Sequence, residues 1–334
     1  MAAFPRYLSG DTQAIREFLD RFDDPRLFCS TATVRLDLHG VVVCEGDAGP
    51  QTAKGCRKET GVLWSGDTVF EGVVETLEML RNKGKRVVFV TNNSTKSRED
   101  YKKKLDALGI PSKVDEIFGS AYSSAIYISR ILALPAPRNK VFVMGEAGIE
   151  SELASESIPY IGGTDSTLRR DMTPADFTSI ADGSALDPDV GIVLTGLDFH
   201  VNYLKLSLGF HYLQAGAEFL ATNSDSTLPT AGKLFPGAGS VGIPLVKMTG
   251  REPIVMGKPS QAMMQAIEGK FRLDRSRTCM IGDRLDTDIR FGQQGGLGGT
   301  LAVLTGVSTK EEWEAEGAEV RPGWYVDKLG DLGA

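Results

Sequence analysis

Three short runs in this chain gather residue types that can do chemistry together. Asp283, Asp286 and Asp288 crowd into one loop behind the apolar run Thr278-Cys279-Met280-Ile281. Carboxylates so close repel one another, and a hard divalent cation with oxygen ligands relieves that repulsion, Mg²⁺ being the usual one beside phosphate. A solvated acidic turn is the plain alternative. Thr91-Asn92-Asn93-Ser94 follows the β-branched and aromatic run Arg86-Val87-Val88-Phe89-Val90 and leads to a helix starting near Ser97. Hydroxyl, amide and backbone N–H donors at a helix start suit a phosphate oxygen, although an ordinary polar turn carries the same residues. Gly257-Lys258-Pro259-Ser260, after Pro253-Ile254-Val255-Met256, offers one ammonium able to neutralise a phosphoryl group, or else a surface lysine.

Each run sits between an apolar strand pattern and a helical one, and this grammar defines the fold. Ile15, Phe18, Leu19 and Phe22 recur at helical spacing near the start, and Val73 to Asn82 is a second helix stopped by Gly84. Strands over 86–90, 253–256, 278–281 and 301–304 alternate with helices, which predicts an α/β protein built on a doubly wound parallel sheet, with ligands beyond the carboxyl ends of its strands. The long stretch between Asn93 and Lys258 has strands of its own at 141–144, 191–194 and 219–222. A second α/β domain is therefore expected at 136–251, inserted into a core made of 1–135 and 252–334. Over such a site it would act as a lid that excludes water and selects substrate size.

Composition narrows the partners. The chain has 334 residues, 41% hydrophobic and 24% charged, with a net charge of −7. Its isoelectric point is near 5.2. Lys and Arg are scattered, so neither a nucleic acid nor an anionic membrane is the expected partner. No apolar run approaches a membrane span and Met1 to Arg6 is no signal peptide, so a cytoplasmic protein is expected. The four cysteines lack metal spacing and read as reduced thiols.

Taken together, the loops resemble the haloacid dehalogenase superfamily of phosphatases. The narrower likeness is to its phosphoglycolate, pyridoxal phosphate and 4-nitrophenyl phosphate phosphatase branch, nearest the plant and algal phosphoglycolate phosphatases of photorespiration. The likeness rests on Gly61 to Asp67, Val90 to Ser97, Ala221 to Asp225, Gly257 to Ser260 and Gly282 to Ile289. It implies a Mg²⁺-dependent hydrolase with a capped α/β core, working through an aspartyl-phosphate intermediate on a small phosphorylated metabolite, 2-phosphoglycolate first and pyridoxal phosphate as a rival. By that likeness Thr91, Asn92 and Asn93 hold the phosphoryl oxygens and Lys258 neutralises charge. Asp283 ligates the metal with Asp288 in support. A homodimer through the cap and a chloroplast location are implied in the same way.

One stretch departs from the pattern. The family opens on an apolar strand ending Asp-x-Asp-Gly-Val, whereas here Arg57-Lys58-Glu59-Thr60 precedes Gly61-Val62. Lysine cannot form an acyl phosphate. A partial substitute lies upstream in Leu36-Asp37-Leu38-His39-Gly40-Val41, with Asp37 as nucleophile and His39 as acid. The atypical segment, 25–60, also carries three of the four cysteines, and it reads as a replacement, such as translated intron sequence. The alternative function is then a catalytically impaired homologue that binds phosphate or Mg²⁺. Gly237 to Gly242 matches a dinucleotide fingerprint in letters but lacks the strand that must precede it. His200 and His211 carry no ligand pattern.

Overall fold

The computed structural model describes residues 4–22, 40–44, 61–65, 67–230 and 233–333. Strand β1 (Arg6–Tyr7) and helix α1 (Thr12–Arg21) come first, the helix capped by Asp11, whose carboxylate accepts from Ala14 N at 2.8 Å. Ile15, Phe18 and Leu19 are its buried stripe. Strand β2 is Gly40–Cys44, and Trp64–Ser65 (β3) pairs with Thr68–Val69 (β4) as a small hairpin. Helix α2 (Val73–Asn82) buries Val73, Leu77 and Leu80, and the chain turns beyond it at Gly84, whose φ is +74°. Strand β5 (Arg86–Thr91) follows, then α3 (Arg98–Ala107), whose cap is Ser97 accepting from Asp100 N at 3.2 Å. Strand β6 (Ile117–Gly119) and α4 (Ser120–Ile126) complete the first half of the sheet.

Next come β7 (Lys140–Met144), α5 (Ala147–Ser155), β8 (Tyr160–Gly162), α6 (Pro174–Ala181), β9 (Val190–Thr195), α7 (Tyr203–Gln214) and β10 (Glu218–Ala221). A hairpin of β11 (Thr227–Thr230) and β12 (Lys233–Pro236) leads into α8 (Ala238–Thr249). The glycine-rich run 237–242 thus opens a helix behind an antiparallel hairpin, not behind a parallel strand, and the dinucleotide reading falls. The chain ends with β13 (Ile254–Val255), α9 (Gln261–Phe271), β14 (Cys279–Gly282), α10 (Arg290–Gln294), β15 (Gly299–Val303), α11 (Lys310–Glu314) and β16 (Trp324–Val326).

Two parallel sheets result. The larger runs β1-β16-β15-β14-β2-β5-β6 and the smaller β13-β10-β9-β7-β8. In the larger, chain order reverses between β14 and β2, and a crevice at such a switch point is where open α/β sheets bind ligands. Its two faces are covered separately. Leu77, Leu80 and Tyr101 from α2 and α3 pack with Val87 and Phe89 on one side. Tyr122, Met263 and Phe291 from α4, α9 and α10 pack with Val88 and Val90 on the other.

One strand belongs elsewhere than the sequence grammar suggests. Ile254–Val255 pairs with Leu220 and Ala221 of β10, so it edges the smaller sheet and not the sheet that holds Cys279–Gly282. Strand, loop and helix alternate alike in both sheets, so the local pattern cannot say which sheet a two-residue strand joins. No helix among the described residues is long and apolar enough to cross a membrane.

Candidate active site

The carboxyl ends of β5, β14 and β10 converge on one cluster of buried polar residues. Register aligns Val90 with Cys44 and Ile281 with Val43, so Val90, Gly282 and the end of β2 lie level and Thr91 and Asp283 follow one residue on. Gly282 is followed by Asp283, which is buried. Its Oδ2 accepts from Val307 N at 3.1 Å and its carbonyl from Ser308 N at 2.9 Å, so the loop after β15 wraps around it. A Cβ at Gly306 would overlap the Asp283 side chain, so only glycine lets that loop come so close.

Asp288 is used differently. Oδ1 accepts from Lys258 Nζ at 3.0 Å, and Oδ2 accepts from the backbone N–H of Asp283 at 3.1 Å and of Arg284 at 3.2 Å. Leu285–Ile289 form a wide π-helical turn that aims it there. Asp286, the third carboxylate of the loop, points outward and pairs with Arg284 at 3.2 Å. Burial, with the Asp288 charge beside it, pushes the Asp283 carboxyl well above the usual carboxylate range.

Lys258 is buried as well, and its ammonium donates to Val90 O at 3.2 Å besides Asp288. Asn92 holds its backbone through a paired amide contact. Asn92 Oδ1 accepts from Lys258 N at 2.7 Å, and Nδ2 donates to Lys258 O at 3.1 Å. Thr91 Oγ1 is paired with Tyr101 OH at 3.2 Å and accepts from Asn93 N at 3.2 Å. Asn93 Oδ1 accepts from Thr95 N and Thr95 Oγ1, both at 2.9 Å. The structure therefore brings Asn92, Lys258, Asp288 and Asp283 into one hydrogen-bonded chain, with Thr91 and Asn93 shaping the loop beside it.

Asp37 and His39 lie outside the described residues. In the chain they precede the amino end of β2, whereas the cluster lies at the carboxyl ends of the strands. Glu45, Gly46 and Asp47, an acid-glycine-acid run, follow β2 in the sequence and lie outside the described residues too.

A divalent cation suits the donors that are present. Asp283 Oδ1 is buried and has no hydrogen-bond partner among the described residues, an orphaned oxygen of the kind a cation satisfies. Among the described residues no three His, Cys, Asp or Glu side chains gather as a complete metal cage. Mg²⁺ needs none, since it takes one or two carboxylates and fills its octahedron with water and substrate phosphate. Asp283 would hold it through Oδ1, while Asp288 is committed to Lys258 and to backbone N–H groups.

Ala221 to Asp225 carries family likeness but no chemistry of its own that the residues declare. The structure carries this loop of the smaller sheet into the cluster, where Asn223 Nδ2 donates to Asn92 O at 2.8 Å and Thr222 Oγ1 to Ser94 Oγ at 3.1 Å. A polar run at the end of an apolar strand was the available signal.

A haloacid dehalogenase-like hydrolase profile matches residues 59–158, and a HAD-hydrolase-like profile matches residues 255–332. A 4-nitrophenylphosphatase of Schizosaccharomyces pombe is 50% identical over 273 residues, 81% of this chain and 90% of that protein. Phosphoglycolate phosphatase 1A, chloroplastic, of Arabidopsis thaliana is 44% identical over 275 residues, 81% of this chain and 74% of that protein. Glycerol-3-phosphate phosphatase of Homo sapiens is 36% identical over 286 residues, 81% of this chain and 87% of that protein. Among solved structures, the p-nitrophenyl phosphatase from Archaeoglobus fulgidus superposes with a TM-score of 0.68 at 27% identity, covering 89% of this chain and 99% of the other.

Proposed function

The chain belongs to the haloacid dehalogenase-like hydrolases and is a phosphatase of that family, with a capped α/β core; from this premise we propose that it is a Mg²⁺-dependent hydrolase of a small phosphomonoester, with 2-phosphoglycolate as its substrate. The observation that carries the reading is the buried chain Asn92–Lys258–Asp288–Asp283, which links one ammonium, through Asp288, to a carboxylate whose Oδ1 has no hydrogen-bond partner among the described residues. Phosphoryl transfer needs little else from a protein than positioning and charge compensation. Bound Mg²⁺ would offset the negative charge of the transferring phosphoryl group. Lys258 would neutralise the same charge, Thr91, Asn92 and Asn93 would take the phosphate oxygens, and Asp288 keeps the ammonium in place. Relatives named for 4-nitrophenyl phosphate, phosphoglycolate and glycerol 3-phosphate support a phosphomonoester and leave the alcohol portion to be assigned by assay.

The acyl-phosphate step needs an acid from the segment outside the described residues: Asp37, with His39 as the proton donor to the leaving oxygen, is the candidate that family likeness offers, and Glu45, which follows the carboxyl end of β2 in the sequence, is its competitor. Turnover of 2-phosphoglycolate, pyridoxal phosphate and 4-nitrophenyl phosphate with and without Mg²⁺ tests the function. Asp37→Asn compared with Glu45→Gln tests the nucleophile, and covalent ³²P capture on the acid that matters identifies it. A second reading has one specific support: the family profile begins only at residue 59, so the segment before it does not carry the expected opening strand pattern. A phosphate- or Mg²⁺-binding homologue without turnover would then be the outcome, and transcript sequencing across 25–60 shows whether that segment is encoded in the message. A cap-mediated homodimer and a cytoplasmic location, with the chloroplast as its rival, belong to the same proposal and are read by light scattering and cell fractionation.

A further inference from the structure

Lys258 reaches the catalytic sheet from outside it. Its turn follows β13, which edges the smaller sheet, and its buried ammonium must be brought to Asp288 across the seam between the two sheets. The backbone around it is gripped on both sides. Asn92 takes the N–H and C=O of Lys258 with its carboxamide, and this pairing fixes which end of the amide is oxygen, because the peptide N–H can only donate and the carbonyl only accept. Asn92 is itself pinned by its own carbonyl, which accepts from Ser120 Oγ at 2.6 Å and from Asn223 Nδ2 at 2.8 Å. Gly257, one residue before Lys258, sits in the notch so formed, where an added Cβ would lie 2.8 Å from Asn223 Cβ and 2.9 Å from Asn92 Oδ1.

We infer that Asn223, in the loop that follows β10 of the smaller sheet, is a positioning residue for Lys258, acting through Asn92. Asn223 is buried, and its other amide atom is committed as well, Oδ1 accepting from Asp225 N at 3.0 Å. Its side chain is therefore locked in one orientation, with Nδ2 aimed at the Asn92 carbonyl. Fixing that carbonyl fixes the Asn92 peptide plane, hence the direction of the Asn92 side chain, hence the Lys258 backbone that the side chain holds. The ammonium at the far end of a four-carbon stem amplifies any tilt at its root. The smaller sheet thus contributes to the charge arrangement of the catalytic cluster as well as covering it. This deepens the phosphatase reading, since it assumes that Lys258 is the cation facing the phosphoryl group.

The test reads Lys258 directly, without turnover. Full-length wild type, Asn223→Ser and Asn223→Asp are pulsed with acetic anhydride, and acetylation at each lysine is followed by peptide mass spectrometry. Serine is smaller and uncharged. Aspartate keeps the size but sets an acceptor against the Asn92 carbonyl. Lys85 and Lys205 are buried lysines in other parts of the chain and report general loosening. The expected result is that Lys258 acetylates ~10-fold faster in either variant, the scale of losing about one hydrogen bond, with Lys85 and Lys205 unchanged. Unchanged Lys258 acetylation in both variants overturns the inference, as does acceleration of Lys85 and Lys205 alongside it. In active protein, kcat should fall ~10-fold or more with KM within about 2-fold, the mark of a misplaced catalytic charge. An inactive wild type would count against the phosphatase reading alone and leave the acetylation result standing.

Discussion

Arg98 and Glu152 join the two sheets through a doubled contact. The Glu152 carboxylate accepts from Arg98 N at 2.6 Å and from Arg98 Nε at 2.8 Å, and the guanidinium lies 3.4 Å from the centre of the Tyr122 ring. Arg98 opens α3, a few residues past the phosphate-end loop, and Glu152 lies on α5 of the smaller sheet. Glu152 is buried and Arg98 nearly so, and removing one member of such a pair costs ~3–5 kcal/mol because the other charge stays in the interior. Glu152→Ala should show that loss in chemical denaturation, and adding Arg98→Ala should cost much less than the sum. Additive losses in the double-mutant cycle would mean that the two residues do not act as a pair.

Gly306→Ala targets Asp283 without touching it chemically. The new methyl would overlap the carboxylate side chain and move it or the loop around it. Turnover should fall ~10²-fold, the scale of a displacement near 1 Å at a reacting centre. A ligand at one hundred times its Kd stabilises a protein by ~2.7 kcal/mol, so wild type should melt higher in saturating Mg²⁺ and the variant should lose that shift. An equal Mg²⁺ shift in both proteins would refute the assignment of Asp283 to the cation.

The metal-free protein should become less stable as pH rises. Burial and the Asp288 charge raise the Asp283 carboxyl from 3.8 to about 8. Between those values the folded state keeps a proton that the unfolded chain has released. The contribution is therefore full below 3.8 and is lost as pH rises through about 8. Melting in EDTA from pH 5 to 9 should slope downward more steeply in wild type than in Asp283→Asn, and Mg²⁺ should flatten the wild-type curve. Parallel wild-type and variant slopes in EDTA would show that Asp283 is not the group responsible.

Lys205 on α7 and Asp198 in the loop after β9 form a fully buried pair beside the smaller sheet. Lys205 Nζ donates to Asp198 Oδ2 at 2.7 Å and to Gly163 O at 3.0 Å. Lys205→Met keeps the stem but strands the carboxylate, for an expected loss of ~3–5 kcal/mol. Adding Asp198→Asn should return part of it. A single variant as stable as wild type would show that water or another donor takes the ammonium's place.

What the sequence made legible was what local pattern encodes. The runs 86–90 and 278–281 are strands because both faces of a parallel sheet are covered, which demands continuous apolar residues. Ser97 caps α3 and Asp11 caps α1 because short polar side chains reach the free N–H groups of a first turn. Thr91, Asn92, Lys258, Asp283 and Asp288 could be nominated from strand-end chemistry and from family likeness. Their division of labour could not. That Asn92 clamps Lys258, 166 positions away, and receives Asn223, 131 positions away, follows from how two sheets meet. No periodicity within either segment records such a meeting. Family likeness gives Asp288 a supporting place beside the metal ligand Asp283, and the wide turn over 285–289 directs its carboxylate to Lys258 and the backbone.

The pairing of β1 with β16 joins Arg6–Tyr7 to Trp324–Tyr325, and Tyr7 OH donates to Asp327 while Ser9 Oγ donates to Asp331. During synthesis the edge of the larger sheet therefore waits for almost the whole chain, and its closure is a late, long-range event. The smaller sheet is complete once residue 255 has emerged. All of its strands precede Lys258 in the chain, whereas β16 of the larger sheet begins only at Trp324.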